Sequence, residues 1–103
     1  DAWPISATAW TLDDLAIIFN SGEPFTELSL ELAARSPLAE TLLISMTNGT
    51  EGYIGTDEDK RRGGYEMNTS NRYSMLEDGC RPLPFAFGAG DRLIEGCLEL
   101  LTT

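Results

Sequence analysis

The side chains here with chemistry to offer are acids, tyrosines and two thiols. No histidine occurs among the 103 residues, which removes every Ser–His, Cys–His and histidine–metal device that the chain could assemble alone. Among the acids, Glu23 stands out by position. An apolar run, Leu15 to Phe19, breaks at Asn20-Ser21-Gly22, and Glu23-Pro24 leads into a helical pattern. A carboxylate at the tip of a strand-to-helix turn is held by two rigid elements while it stays accessible. Tyr53 closes a glycine-rich stretch, Asn48-Gly49-Thr50-Glu51-Gly52, whose spacing fits no phosphate loop. Tyr65-Glu66 follows Gly63-Gly64; the tyrosine either lines a pocket or packs with its hydroxyl hydrogen-bonded. Asp13-Asp14 reads as a polar turn, and Asp57 to Arg62 as a solvated helical turn or loop. Cys80 and Cys97 can form one bond or stay two thiols, and there is no C-x-x-C.

The elements that must position these groups follow from the pattern. Leu15 to Phe19 has the continuous apolarity of a strand buried on both faces. Pro24 suits the first position of a helix, where its missing N–H is no loss. That places Glu23 near the N-cap, where the helix end favours an anion. Phe25, Leu28 and Leu32 form an apolar stripe widened by Leu30, Ala33 and Ala34, with Glu27 and Glu31 toward solvent. Arg35 complements the helix end and Ser36-Pro37 stops it. Glu40 to Asn48 is a second strand. Strand, helix, strand at this spacing predicts a βαβ unit with parallel strands and a right-handed crossover. Both strands then end on one edge, where such sheets place ligands. Glu23 and the loop from Asn48 to Tyr53 should therefore be neighbours, although they are far apart in sequence.

Asp1 to Thr11 reads as an arm or short strand with Trp3 and Trp10 to bury. Met67 to Ser74 is polar, and Met75 to Ala89 reads as a long irregular loop of the kind that is functional or packs on a partner. A last helix opens at Gly88-Ala89-Gly90-Asp91. Leu93, Ile94, Cys97, Leu98 and Leu101 line one side of it, with Glu95 and Glu99 opposite, so Cys97 reads as a buried, inert thiol. The expected fold is α/β: a βαβ unit with parallel strands plus a C-terminal helix, within a larger mixed sheet. Residues 1–103 form one domain or a fragment.

Seven basic residues stand against 17 acidic ones, a net charge of -10. That argues against nucleic acid or an anionic membrane surface as partner. A hydrophobic share of 42% and a mean hydropathy of -0.16 fit a globular chain. No apolar run approaches the roughly 20 residues of a transmembrane segment. Beginning at Asp1, with neither an initiator methionine nor a signal segment, the chain reads as a processed product or a fragment.

Three motifs in order carry a resemblance: Gly22-Glu23-Pro24-Phe25-Thr26, then Asn48 through Tyr53-Ile54 to Thr56, then Gly63-Gly64-Tyr65-Glu66. In these the chain resembles the neutral/alkaline (non-lysosomal) ceramidase family, its bacterial members above all. The likeness runs from Asp13 to Glu66, with the Gly90-Asp91-Arg92-Leu93 helix also in register. It implies the C-terminal portion of that family's catalytic domain. The family's enzymes are zinc-dependent amidohydrolases of lipid metabolism that cleave the N-acyl bond of ceramide. Their zinc is held by two histidines from earlier in the chain, a glutamate and a tyrosine. The glutamate maps to Glu23 and the tyrosine to Tyr53, while Tyr65 and Glu66 stay candidates for lining a pocket.

The cofactor so implied is zinc, completed by two imidazoles from a companion polypeptide or a preceding N-terminal segment. The implied substrate is an amide or lipid-like small molecule, and the implied location is extracellular or periplasmic. No residue is assigned as the catalytic acid or base. Carboxylate and phenolate are oxygen ligands that Zn²⁺ accepts beside imidazoles. Thr50 and Gly52 stand where the family has an inner tyrosine and histidine, Ser29 to Glu31 stand where it has an arginine pair, and Tyr73 to Phe87 reads as an insertion. A second reading stays open: a non-catalytic binding or assembly module, in which Glu23 caps a helix, Tyr53 packs, and the loop with Cys80, Phe85 and Phe87 is the contact surface. A third is an α/β domain whose turns only look alike.

Overall fold

The chain begins with a hairpin. In a computed structural model, which describes residues 4–69 and 85–102, β1 (Ala7–Leu12) and β2 (Leu15–Asn20) pair antiparallel across the two-residue turn Asp13-Asp14. Asp13 sits in the left-handed region at φ 52, a conformation that Asp tolerates better than most residues. Of the stretch read as an arm or short strand, Ala7 to Thr11 lies in β1. Its Trp10 is not buried but 65% exposed; Trp3 lies outside the described residues.

After a short turn, β3 (Glu23–Pro24) precedes helix α1 (Thr26–Arg35), and β4 (Glu40–Ile44) returns parallel to β2, Ile18 opposite Leu43. The βαβ unit predicted from the spacing is present, in a mixed three-stranded sheet ordered β1-β2-β4. Several boundaries differ from expectation. Pro24 is extended rather than the first helical residue, and Phe25 is the N-cap, without a side-chain cap. The residue before a proline is itself biased to extended backbone, so Glu23-Pro24 was better suited to a short ladder than to a helix start. β4 ends at Ile44, and Met46 (φ 52) and Asn48 (φ 56) take left-handed conformations that no strand accommodates.

A second pair follows, β3 with β5 (Tyr53–Ile54), parallel. Then come helix α2 (Asp57–Arg62), a π-helical turn (Tyr65–Thr69), and helix α3 (Ala89–Leu101). The π-helical turn takes in Tyr65-Glu66 and the first residues of the polar stretch from Met67. Of the segment read as an irregular loop, Met75 to Ala89, only residues 85–89 are described; Phe85 packs on the core, Phe87 is exposed, and Cys80 lies outside the described residues.

Helices α1 and α3 pack on each other, α1 against β4 and α3 against β1, so both cover the same face of the sheet. The core consists of Ile18, Leu28, Leu32, Ile54, Ile94 and Cys97. In α1 only Leu28 and Leu32 are buried; Leu30 is 65% exposed, and Ala33 and Ala34 face solvent. The buried stripe is thus a narrow i, i+4 row. β2 is not buried evenly on both faces. Ala16, Ile18 and Asn20 are buried, whereas Leu15, Ile17 and Phe19 on the other face are half-covered.

Glu31 and Glu95 both engage Arg35, at 2.9 and 2.6 Å, tying α1 to α3 at the surface. Exposed pairs of this kind contribute little. Cys97 is a free buried thiol, and burial pushes it up to about 11.

Candidate functional site

The carboxylate at the turn is built from Asn20 upward. Asn20 is fully buried at the end of β2. Its side-chain carbonyl accepts the Gly22 N–H at 2.9 Å, and its amide donates to the Ile44 carbonyl at 2.9 Å. One side chain therefore closes the turn after β2 and ties it to the end of β4. The next strand leaves through the same lacing. Met46 N–H donates to the Gly22 carbonyl, Thr47 N–H to that of Asn20, and Glu51 N–H to that of Ser21. Ser21 in turn accepts Ser6 N–H on its hydroxyl at 3.0 Å. Backbone groups that a turn would leave unpaired are thus satisfied by the neighbouring loop.

This lacing sets the β3–β5 ladder. Glu23 N–H donates to the Gly52 carbonyl and Phe25 N–H to that of Ile54, each at 2.8 Å. Glu23 lies opposite Tyr53, and Pro24 opposite Ile54. Alternation then sorts the faces. Ile54 points into the core, where a Cβ on Gly22 would come within 2.5 Å of its Cδ1. Gly22 is therefore the residue that lets the turn approach the ladder. Glu23, Tyr53 and Phe25 share the other face, with the Phe25 and Tyr53 rings edge to face at 6.2 Å.

Electrostatics at Tyr53 reflect that placement. Its phenol is raised above the usual tyrosine value, first by the negative charge of Glu23, then by burial, then by Glu66 and Tyr65. All four residues singled out in the sequence, Glu23, Tyr53, Tyr65 and Glu66, thus gather at one place. The first two meet in register. The second two arrive on the π-helical turn, which packs on β5 and is anchored by buried Met67 over Gly55. π-Helical turns are rare and occur often at functional sites.

As a metal site the arrangement offers half a shell. One carboxylate and one phenol on the same face supply two oxygen donors, and a bound cation would reverse the electrostatic balance at Tyr53 by favouring the phenolate. Among the described residues no three acid or thiol side chains cluster to hold a metal ion, and the sequence has no imidazole. Glu23 and Tyr53 fit zinc as two ligands of a four-coordinate centre and no more.

Sequence reading missed the roles of three structural residues. Asp59, inside what reads as a solvated charge run, is buried. Burial pushes its carboxyl up, but the Thr56 N–H and hydroxyl, with Glu27, outweigh this and hold it below the usual range. Thr56-x-x-Asp59 is a capping box, and the spacing of a hydroxyl and an acid three residues apart carries that signal. Asp57 reaches further, accepting Gly88 N–H at 2.7 Å and so fixing the start of α3. The role of Asn20 was hidden because a buried Asn and an exposed turn Asn look the same in sequence.

Among the described residues no helix is long and apolar enough to cross a membrane. Set against family models, curated proteins and solved structures, the chain matches none.

Proposed function

We propose that this chain supplies half of the metal site of a zinc-dependent amidohydrolase of ceramidase type, with Glu23 and Tyr53 as oxygen ligands. Two imidazoles come from a companion polypeptide or from a segment preceding this one. The observation that carries the reading is the register of the β3–β5 ladder, which sets Glu23 opposite Tyr53. Two short parallel strands set Glu23 and Tyr53 opposite each other through backbone hydrogen bonds, so the two side chains leave the ladder on the same face. When bound, zinc polarises an amide carbonyl and lowers the pKa of a water.

The chain's own residues hold the rest. Phe25 packs edge-on to Tyr53 and limits the swing of its ring. Tyr65 and Glu66, exposed beside Tyr53, line the approach for an amide or lipid-like substrate. A second reading, a non-catalytic assembly module on the same scaffold, draws support from the exposed apolar face of the sheet around Trp10 and Leu12.

Metal content separates the two. The native assembly should hold about one zinc per chain, lost in Glu23→Gln and in Tyr53→Phe. No zinc in the unsubstituted assembly sinks the hydrolase reading and leaves the assembly module.

A further inference from the structure

One face of the β1-β2-β4 sheet is covered by α1 and α3; the opposite face carries a continuous apolar surface. The registers place Leu12 beside Leu15, Trp10 beside Ile17, and Ile17 beside Leu42, with Phe19 beside Ile44. All are on the side away from the helices. Trp10 and Phe19 meet edge to face at 5.1 Å. Yet Leu12 is 72% exposed, and Leu42 and Ile44 are exposed as well. A depression lined by Trp10, Thr11, Leu12, Leu15 and Ile17 opens on this face. A solvated face of an antiparallel sheet is normally polar, and parallel strand pairs occur with both faces covered. A patch of this extent marks a contact surface.

The charges around it say what covers it. Asp13 and Asp14 sit exposed at the hairpin tip. Glu40 begins β4 opposite Leu15, and its N–H donates to the Asp14 carbonyl. Three carboxylates thus gather at one end of the apolar face. No strand residue on that face is basic. Arg35, at the end of α1, is paired with Glu31 and Glu95. Two copies at net charge -10 each repel one another.

We infer that the outer sheet face, Trp10, Leu12, Ile17, Phe19, Leu42 and Ile44, is covered by an amphipathic helix of the companion polypeptide, with lysine or arginine at the end that meets Asp13, Asp14 and Glu40. This rests on the reading that a companion completes the chain, and it names how the companion is held. The apolar row supplies affinity, and the acidic end sets the direction in which the helix lies.

The test uses the full chain with Trp3→Phe, so that Trp10 is its sole tryptophan. The probes are two synthetic amphipathic helical peptides with the same leucine stripe, one ending in lysines and the other in glutamates. The lysine peptide should shift Trp10 emission to the blue in a saturable way, and bind at least roughly tenfold tighter than the glutamate peptide. Leu42→Asp should abolish the shift and Leu30→Asp, on the exposed side of α1, should leave it unchanged. Comparing the two peptides needs no substitution beyond Trp3→Phe.

No saturable shift, or equal binding of both peptides, overturns the inference. So does self-association of the chain alone that Leu42→Asp abolishes, which would assign the face to a second copy. Glu23→Gln should bind the lysine peptide normally. Peptide selectivity without zinc in the native assembly would therefore count against the metal site alone, and zinc without selectivity against this surface alone.

Discussion

The covered face of the main sheet and the β3–β5 ladder lie within one short chain but are held by different means. The first is held by side chains. Ile18, Leu28, Leu32, Ile94 and Cys97 bury one another, and apolar burial is non-directional, so its positions are set by volume. The ladder is only two residues long on each strand, far too short to be stable by itself. It is held by close backbone approach. Gly22 lies against Ile54, Gly55 against Asp59 and Met67, and Gly90 of α3 against the Gly55 carbonyl. Asn20 adds two side-chain hydrogen bonds to the backbone of this region. The core should therefore tolerate changes that conserve volume, whereas the ladder should tolerate no added atom at its glycines.

The largest expected effect is in the core. Leu32→Ala removes a fully buried side chain and should cost about 2–5 kcal/mol, whereas Leu30→Ala, two residues away and exposed, should stay within about 0.5 kcal/mol. Urea unfolding with unchanged slope reads both. Similar losses at the two positions would break the assignment of α1 to this face.

Next comes a pair of glycines in one helix. Alanine is a better helix former than glycine by about 1 kcal/mol. Gly96 has no heavy atom within 4 Å of its would-be Cβ, so Gly96→Ala should stabilise by about 0.5–1 kcal/mol. At Gly90 the same Cβ would lie 2.6 Å from the Gly55 carbonyl oxygen. That neighbour is backbone and cannot rotate away, so overpacking of about 1–3 kcal/mol outweighs the propensity gain. Gly90→Ala should destabilise, and because Gly55 directly follows β5 it should also disturb the Glu23–Tyr53 pairing. Opposite signs at Gly90 and Gly96 in thermal unfolding support the contrast; the same sign at both removes it.

The two regions also differ in how legible they were. Periodicity gave the βαβ unit, the final helix and the inert Cys97, because burial imprints alternation and i, i+4 spacing directly on side-chain type. It also brought Glu23 near the loop holding Tyr53, since parallel strands must end on one edge. The ladder itself was not legible. Its register rests on main-chain groups, and Asn20, Gly22 and Gly55 hold their partners through contacts made by residues distant in sequence. The same limit explains Trp10. An aromatic in a strand predicts burial, and only the register shows that Trp10 lies on the sheet face away from α1 and α3, where it is 65% exposed.

The subtlest contrast is between two titrating groups, one in each region. The Cys97 thiol and the Tyr53 phenol are both raised above their ordinary values, but burial alone raises Cys97, whereas the charge of Glu23 is the first cause at Tyr53. Both hold their proton more tightly when folded. Each therefore contributes stability that is present below its unfolded pKa and lost as pH rises through the folded one, for Cys97 at about 11. Salt separates the causes. Screening weakens interactions between charges near the surface and leaves the desolvation of a buried thiol nearly untouched. With Tyr65→Phe and Tyr73→Phe in place, the tyrosinate absorbance of Tyr53 should move down in pH as salt is added, and again with Glu23→Gln. The thiolate absorbance of Cys97 should move with neither. A Tyr53 titration indifferent to both salt and Glu23→Gln would mean that carboxylate and phenol do not face each other, and the register of β3 on β5 would have to be redrawn.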